Sequence, residues 1–428
     1  MTIEMVATVV VDSPDASRAL REKKTLAIAI LSDIREVVRS VSPRAMSVIA
    51  PLLSALVDRA GALPAEQIGL AVGPELYRWL GNAGPAARAG HLPSIADSIE
   101  ALPALLFGRL IASGVEAAQL RIPARDGILA VPIAAVGFPA DTGLLVPVEL
   151  DAERIVVDGV KFDRDAVTME IDGADLGTPR LGDSPIFFHQ RGEVVADMVA
   201  DLSVTASLPV AHDEGLHLIS LSRFEAPDVT QIVTNMSDGL DLIRVHVPTQ
   251  AAEVEAAIDA VTLVNGRRFV GGSDIFYHGV AVLNPDVDWS PTTYADHLVH
   301  EGAHLTLHTR NELQPLLHNP DAMGAKSPIR EDPRPLYGIL HSTFVFLRLV
   351  QFFRVAAEAI GSDEAMFRLH RHLLGFYDGM TELERFAAFT PAGISLFEGM
   401  RAAMAEFRAG LPEPDPCYYK RVGKDYVV

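Results

Sequence analysis

The chain has 428 residues, 49% of them hydrophobic, with 36 Lys and Arg against 56 Asp and Glu and a formal charge of −20. That length and apolar content allow a large buried core in two or three domains and exclude global disorder. The acidic balance excludes a general nucleic-acid or anionic-membrane binder, and the single cysteine, Cys417, excludes an intrachain disulfide or a cysteine-based metal site within one chain.

One cysteine fits a reducing cytoplasm. The first residues, MTIEMVATVVVDSPDASRALREKK, lack the basic-then-apolar order of a signal peptide. No uninterrupted apolar run reaches membrane-spanning length; the longest candidate, ILAVPIAAVGFPADTGLLVPV, carries three prolines and an aspartate.

Three regions follow in chain order, and together they predict an α+β fold, mainly helical with a β-rich middle. Residues 1–116 are helical in texture. TLAIAILSDIREVVRSV and AMSVIAPLLSALVDRAG place apolar residues three and four apart, with Pro and Gly between segments. Residues 117–227 are β-rich. GLLVPVEL, RIVVDGVKFD, AVTMEIDG, EVVADMVADLSV and LHLISLSRF are short, β-branched and separated by Gly, Asp and Pro. Residues 228–428 return to helix and form the predicted catalytic, metal-binding region. VTQIVTNMSDGLDLIRVHV and AAEVEAAIDAVTLVNG read as amphipathic helices and IFYHGVAVLNP as a strand. TTYADHLVHEGAHLTLHTRNEL reads as a helix capped by Ser290 or Thr292, with Pro291 near its first turn. YGILHSTFVFLRLVQFFRVAAEAIG is a long apolar helix ended by Gly361.

Chemistry concentrates in HLVHEGAHLTLH. Within it, HEGAH sets His300 and His304 four residues apart, so both imidazoles share one helical face and reach one metal ion. Glu301 is rotated roughly 100° from His300 by the helical period, so it flanks the ion as a catalytic partner of whatever the ion holds. Gly302 and Ala303 are small and admit a closely packed neighbour. The bland alternative for this spacing is a buried helix with hydrogen-bonded histidines. His297 and His308 extend the face by a turn each way and are more readily supporting or structural residues than ligands.

Two imidazoles need a third protein ligand. Among His318, His341, His370, His372 and the carboxylates, His341 is the choice, because it opens the next apolar helix and a polar imidazole there wants a partner. Glu358, deeper in that helix, is the carboxylate alternative. The segment GAKSPIREDPRPLYG between the helices holds Lys326, Arg330 and Arg334 among prolines that fix the backbone. A guanidinium beside a metal suits bidentate clamping of a small dicarboxylate, and Tyr337 offers a hydroxyl. Arg348, two turns beyond His341 on its face, is the alternative clamp; a salt-bridged surface loop is the bland alternative. The strand before the histidine helix, bearing His278 and Asn284, is a candidate to align an extended peptide through main-chain hydrogen bonds.

FYHGVAVLNP, HLVHEGAHLTLH and SPIREDPRPLYGILHSTFVFLRL resemble the HExxH-motif peptide-modification proteins of bacterial natural-product gene clusters, over roughly residues 269–353. The resemblance implies an iron(II)- and 2-oxoglutarate-dependent hydroxylase that oxidises side-chain β-carbons of a ribosomally made peptide. It makes His300, His304 and His341 the iron ligands and Arg330 or Arg334 the oxoglutarate clamp. An all-histidine set departs from the common two-histidine, one-carboxylate iron triad. The competing function is a zinc peptidase, with zinc on His300, His304 and either Glu358 or His341, and Glu301 as base. A third reading is a scaffold that only binds peptide. The regions before Asp228 are candidates for recognising a leader segment or for self-association.

Overall fold

The computed structural model describes residues 12–414 except 91–92, 117, 125–127, 132–135, 140–144, 152, 165–180, 182, 185, 190–218, 222–225, 267–269, 275–277 and 329–333. The fold is mainly helical α+β, as expected.

The chain opens with α1 (Ala16–Val41), α2 (Pro43–Ala62), the short α3 (Ile68–Ala71), α4 (Pro74–Arg88) and α5 (Pro93–Ala112). Leu26, Leu31, Ile34 and Val38 recur along α1 and are buried in one core with Leu52, Leu53 and Leu56 of α2 and Leu102 and Leu106 of α5. The strands that follow join this same core. β1 (Ala118–Ile122), β4 (Val146–Leu150), β5 (Arg154–Val157) and β6 (Val160–Asp163) form an antiparallel sheet in that order, and β2 (Ile128–Val131) pairs with β3 (Val136–Pro139). Burial along β4 alternates, and its inward Val146, Val148 and Leu150 cover the helices.

The second core belongs to the later chain. It surrounds α6 (Ala226–His246), α7 (Pro248–Ala257), α8 (Pro291–Leu313), α9 (Leu336–Ile360), α10 (Asp363–Phe386) and α11 (Pro391–Gly410). A mixed sheet runs β10 (Gly271–Gly272), β11 (Val280–Leu283), β9 (Ala260–Gly266), β7 (Phe187–His189), with β8 (Ile219–Leu221) also on β9. β9 is parallel to β11 and β7 and antiparallel to β8, and β10 is an edge strand antiparallel to β11.

One sequence expectation fails here. AAEVEAAIDAVTLVNG is not a single helix: α7 stops at Ala257 and the VTLV run is the central strand β9. Val261, Thr262, Leu263 and Val264 are all buried, so both faces of the strand are covered and the run carries no alternation to mark it. The stretch read as the strand IFYHGVAVLNP narrows to β11; residues 275–277 lie outside the described residues, as do AVTMEIDG, EVVADMVADLSV and the C-terminal tail from 415.

Among the described residues two helices, Pro43–Ala62 and Leu336–Ile360, are long and apolar enough to cross a membrane, although charged residues interrupt the apolar run of each. Leu336–Ile360 is the central helix of the second core, with 83% of its most apolar window buried within the fold.

The helix ends follow the sequence. Ser290 caps α8 by accepting the Thr293 N–H, with Pro291 in the first turn. Gly361 ends α9 at φ 64°, a left-handed position that suits glycine.

Candidate metal centre

From Tyr294 to Arg310 every residue of α8 is buried except His300, His304 and His308, which are half-buried. The helix thus packs on all sides but along one line of imidazoles, four residues apart. Gly302 on the opposite side lets α7 come close: a methyl group there would sit 3.3 Å from Val254 Cγ2. Small residues behind the motif and imidazoles in front fix which way the site opens.

α9 crosses this line at its first turns. His304 Nδ1 lies 2.7 Å from His341 Nδ1, and His304 Nε2 lies 3.1 Å from His300 Nε2. The His304 and His341 rings stack at 5.0 Å and 17°. On its other edge His341 Nε2 is 2.9 Å from the Tyr337 hydroxyl, which is also 3.2 Å from His308 Nδ1. The result is a chain, His300–His304–His341–Tyr337–His308. A neutral imidazole has one N–H and one lone pair, so each ring can donate to one neighbour and accept from the next. The proton order can run in either direction with every group satisfied.

Burial sets the protonation. It holds His304 and His341 well below the usual histidine range, and the neighbouring imidazoles push in the same direction. Burial brings His308 down to about 4. These rings are therefore neutral at neutral pH and have lone pairs to give. His297 is not part of the chain. It lies flat on Trp289 at 4.5 Å, and burial lowers it to about 3 despite the adjacent Asp296.

Glu301 points to the edge strand. It is 2% exposed, and Ser273 Oγ donates to its Oε2 at 2.7 Å. Gly271 on β10 leaves room for it, since a Cβ there would come within 3.2 Å of Glu301 Oε1. Burial raises the Glu301 carboxyl, more than His300 and the Ser273 hydrogen bond lower it.

The other sequence candidates fall elsewhere. Arg348 is 1% exposed and committed: Nε and Nη2 donate to Glu253 at 2.7 and 3.1 Å, Nη2 is 3.0 Å from the Asp12 carboxylate, and Nη1 donates to the Asp12 carbonyl at 2.9 Å. It has no face left for a dicarboxylate. Arg330 lies outside the described residues; Arg334 is half-buried just before α9, three residues ahead of Tyr337. Glu358 is exposed, so it is no ligand beside the histidines. His318 is exposed in a loop, its N–H donating to Ala388 O. His278 is buried away from the chain, with Nε2 2.5 Å from Thr309 Oγ1 and its ring stacked on Tyr77. His372 joins Asp296 at 2.6 Å, and Arg368 shares that carboxylate at 2.9 Å.

Sequence reasoning placed His341 beside the pair but assigned Tyr337 to a cosubstrate. Its hydroxyl instead meets two imidazoles. The signal was the spacing: Tyr337 and His341 are one turn apart, as are His304 and His308, so two such pairs on crossing helices meet face to face.

The donor set suits a metal ion in its chemistry. His300 Nε2 and His304 Nε2 stand 3.1 Å apart, close enough that both would serve one cation. His341 touches the pair at the other nitrogen of His304. Among the described residues no three His, Cys, Asp or Glu already converge on one point. No known protein family and no curated protein matches the chain in sequence.

Proposed function

We propose that this chain is an iron(II)- and 2-oxoglutarate-dependent hydroxylase of side-chain β-carbons in a ribosomally made peptide. The observation that carries this reading is the third imidazole: His341 lies 2.7 Å from His304, while the carboxylate alternative Glu358 is exposed. An all-histidine set with depressed proton affinity leaves a divalent ion its full charge and several open positions for small ligands.

His300, His304 and His341 would hold the ion. Bound iron(II) supplies the activation of O₂ together with a keto acid. The Tyr337 hydroxyl, itself met by His308, holds the outer nitrogen of His341 and so fixes which nitrogen it presents inward. Glu301, held by Ser273, orients a water or a neighbouring imidazole and keeps its carboxylate off the open side. Arg334, or Arg330 in the adjoining segment, would pair with the distal carboxylate of 2-oxoglutarate, since Arg348 is occupied by Glu253 and Asp12. The single cysteine supports a cytoplasmic setting, and a leader-bearing peptide is the partner.

The test is succinate formation by anaerobically purified, iron-loaded protein with 2-oxoglutarate and small peptides from neighbouring genes. Succinate should appear only after O₂ is admitted, with a gain of one oxygen atom in the peptide. Equal turnover without 2-oxoglutarate overturns the reading.

One observation favours zinc peptidase chemistry as the second reading: Glu301 is buried against the edge strand β10, where an extended peptide could pair. Glu301→Gln separates the two. A peptidase would lose nearly all activity with its metal retained; the hydroxylase keeps a measurable fraction.

A further inference from the structure

A second concave feature lies beyond the histidine chain. A cleft of about 740 Å³ runs between α1 and α4, within the size range of ligand sites. Its apolar lining is Tyr77, 4% exposed, with half-buried Ile30, Val37 and Leu80. Gly81, Gly84 and Ala87 line it from one face of α4, and a methyl group at Gly84 would meet nothing but the ends of Arg88 and Leu80 side chains. The cleft is open at Gly81 and Gly84, where α4 has no side chain to fill it.

Its charge is one-sided. Asp33, Glu36 and Glu312 line it against Arg88. Glu36 pairs with Arg39 at 2.7 Å, but among the described residues Asp33 and Glu312 have no hydrogen bond or ion pair. Burial and then Asp33 raise the Glu312 carboxyl; the two acids repel each other across α1 and α8, and Arg88 lines the cleft without forming an ion pair with either among the described residues. A cation between them would relieve that repulsion.

The cleft also adjoins the histidine chain. Glu312 follows His300, His304 and His308 at the same four-residue step, about 12 Å along the helix from His304. His308 shares the Tyr337 hydroxyl with His341. Tyr77 stacks at 5.0 Å on His278, which meets Thr309 of the same helix, so the cleft floor is braced on α8.

We propose that this cleft docks the peptide partner, taking a segment in which arginine or lysine side chains lie among apolar ones. The mixture follows from the lining: basic groups meet Asp33 and Glu312, while apolar side chains between them lie on Tyr77, Leu80 and Val37. It rests on the peptide-modifying reading above, but docking needs neither metal nor turnover.

The experiment is fluorescence anisotropy with the full chain and a labelled octapeptide of alternating leucine and arginine. A leucine–glutamate octapeptide is the control. Saturable binding of the basic peptide alone is expected. It should weaken at least tenfold in Asp33→Asn/Glu312→Gln and in Gly84→Leu, which fills the cleft with charge unchanged. Glu398→Gln, an acid on α11 paired with Arg401, should bind as wild type, separating docking from attraction to a chain of charge −20. Unchanged binding in the cleft variants, equal loss in Glu398→Gln, or no saturable binding overturns the proposal. So does self-association on dilution series that Gly84→Leu abolishes, which makes a second copy the occupant. Docking without any succinate or cleavage product sinks the hydroxylase reading alone; peptide oxidation with an unchanged KM in the cleft variants sinks this one alone.

Discussion

Replacing Arg348 with methionine separates a structural arginine from a cosubstrate clamp. Methionine keeps the apolar stem over Phe344, which the guanidinium now covers at 4.6 Å, but removes every polar contact. Glu253, 3% exposed, loses two charge-assisted hydrogen bonds and retains, among the described residues, Arg310 at 4.0 Å and the Asp15 N–H at 3.3 Å. Asp12 keeps Arg310 at 3.2 Å but loses Arg348 at 3.0 Å. Stranding a buried charge in this way costs about 3–5 kcal/mol. With a urea slope of about 3 kcal/mol/M, the midpoint should fall by roughly 1 M or more. Arg348→Met/Glu253→Leu removes both charges and should recover more than half of the loss. Urea titration followed by far-UV circular dichroism measures both. A single variant within about 1 kcal/mol of wild type, or a double variant no better than the single, refutes the reasoning. So does Arg348→Lys if it unfolds like wild type and only raises the 2-oxoglutarate needed for turnover.

His341→Ala should lower zinc or iron(II) affinity at least a hundredfold by calorimetry, while His318→Ala in its exposed loop leaves it unchanged; equal affinities would remove His341 from the ligand set. Tyr337→Phe should cost roughly 10–100-fold in metal affinity with thermal stability nearly unchanged, since it loses only the hydroxyl that orients His341. Asp296 supplies a pH dependence. Burial alone would raise its carboxyl, but His372 and Arg368 outweigh that and hold it well below the usual range. Its stabilisation is complete above the unfolded value of about 3.9 and lost as pH falls toward the folded one. Urea midpoints at pH 5 and pH 3 should therefore differ less in Asp296→Asn than in wild type. Gly379→Ala should destabilise by about 1–3 kcal/mol, because the added methyl group collides with Thr343 where α10 crosses α9; an unchanged melting temperature would show that the crossing gives way freely.

Much of the later chain was legible because its signals are local. Ser290, Pro291 and Gly361 announce helix ends through their own backbone chemistry. His300 and His304 share a face by helical period alone, and His341 stands out as a polar ring in an apolar helix. β9 was not legible: a run buried on both faces has no period, and its neighbours β7 and β11 lie elsewhere in the chain. Arg348 misled for a related reason. Its position on the His341 face suggested a clamp, but its partners are 95 and 336 residues away in Glu253 and Asp12.

By itself, then, the sequence determined the helical texture, the paired histidines and the acid beside them, because each depends on spacing within one element. Tertiary structure decided the rest: that His341 meets His304, that Tyr337 serves the histidines, that Arg348 is spent on holding the N-terminal segment, and that α1 and α4 leave an acidic cleft beside α8. Those outcomes depend on which helices cross and at what depth, and that is fixed by the packing of many apolar side chains at once rather than by the polar residues the crossing brings together.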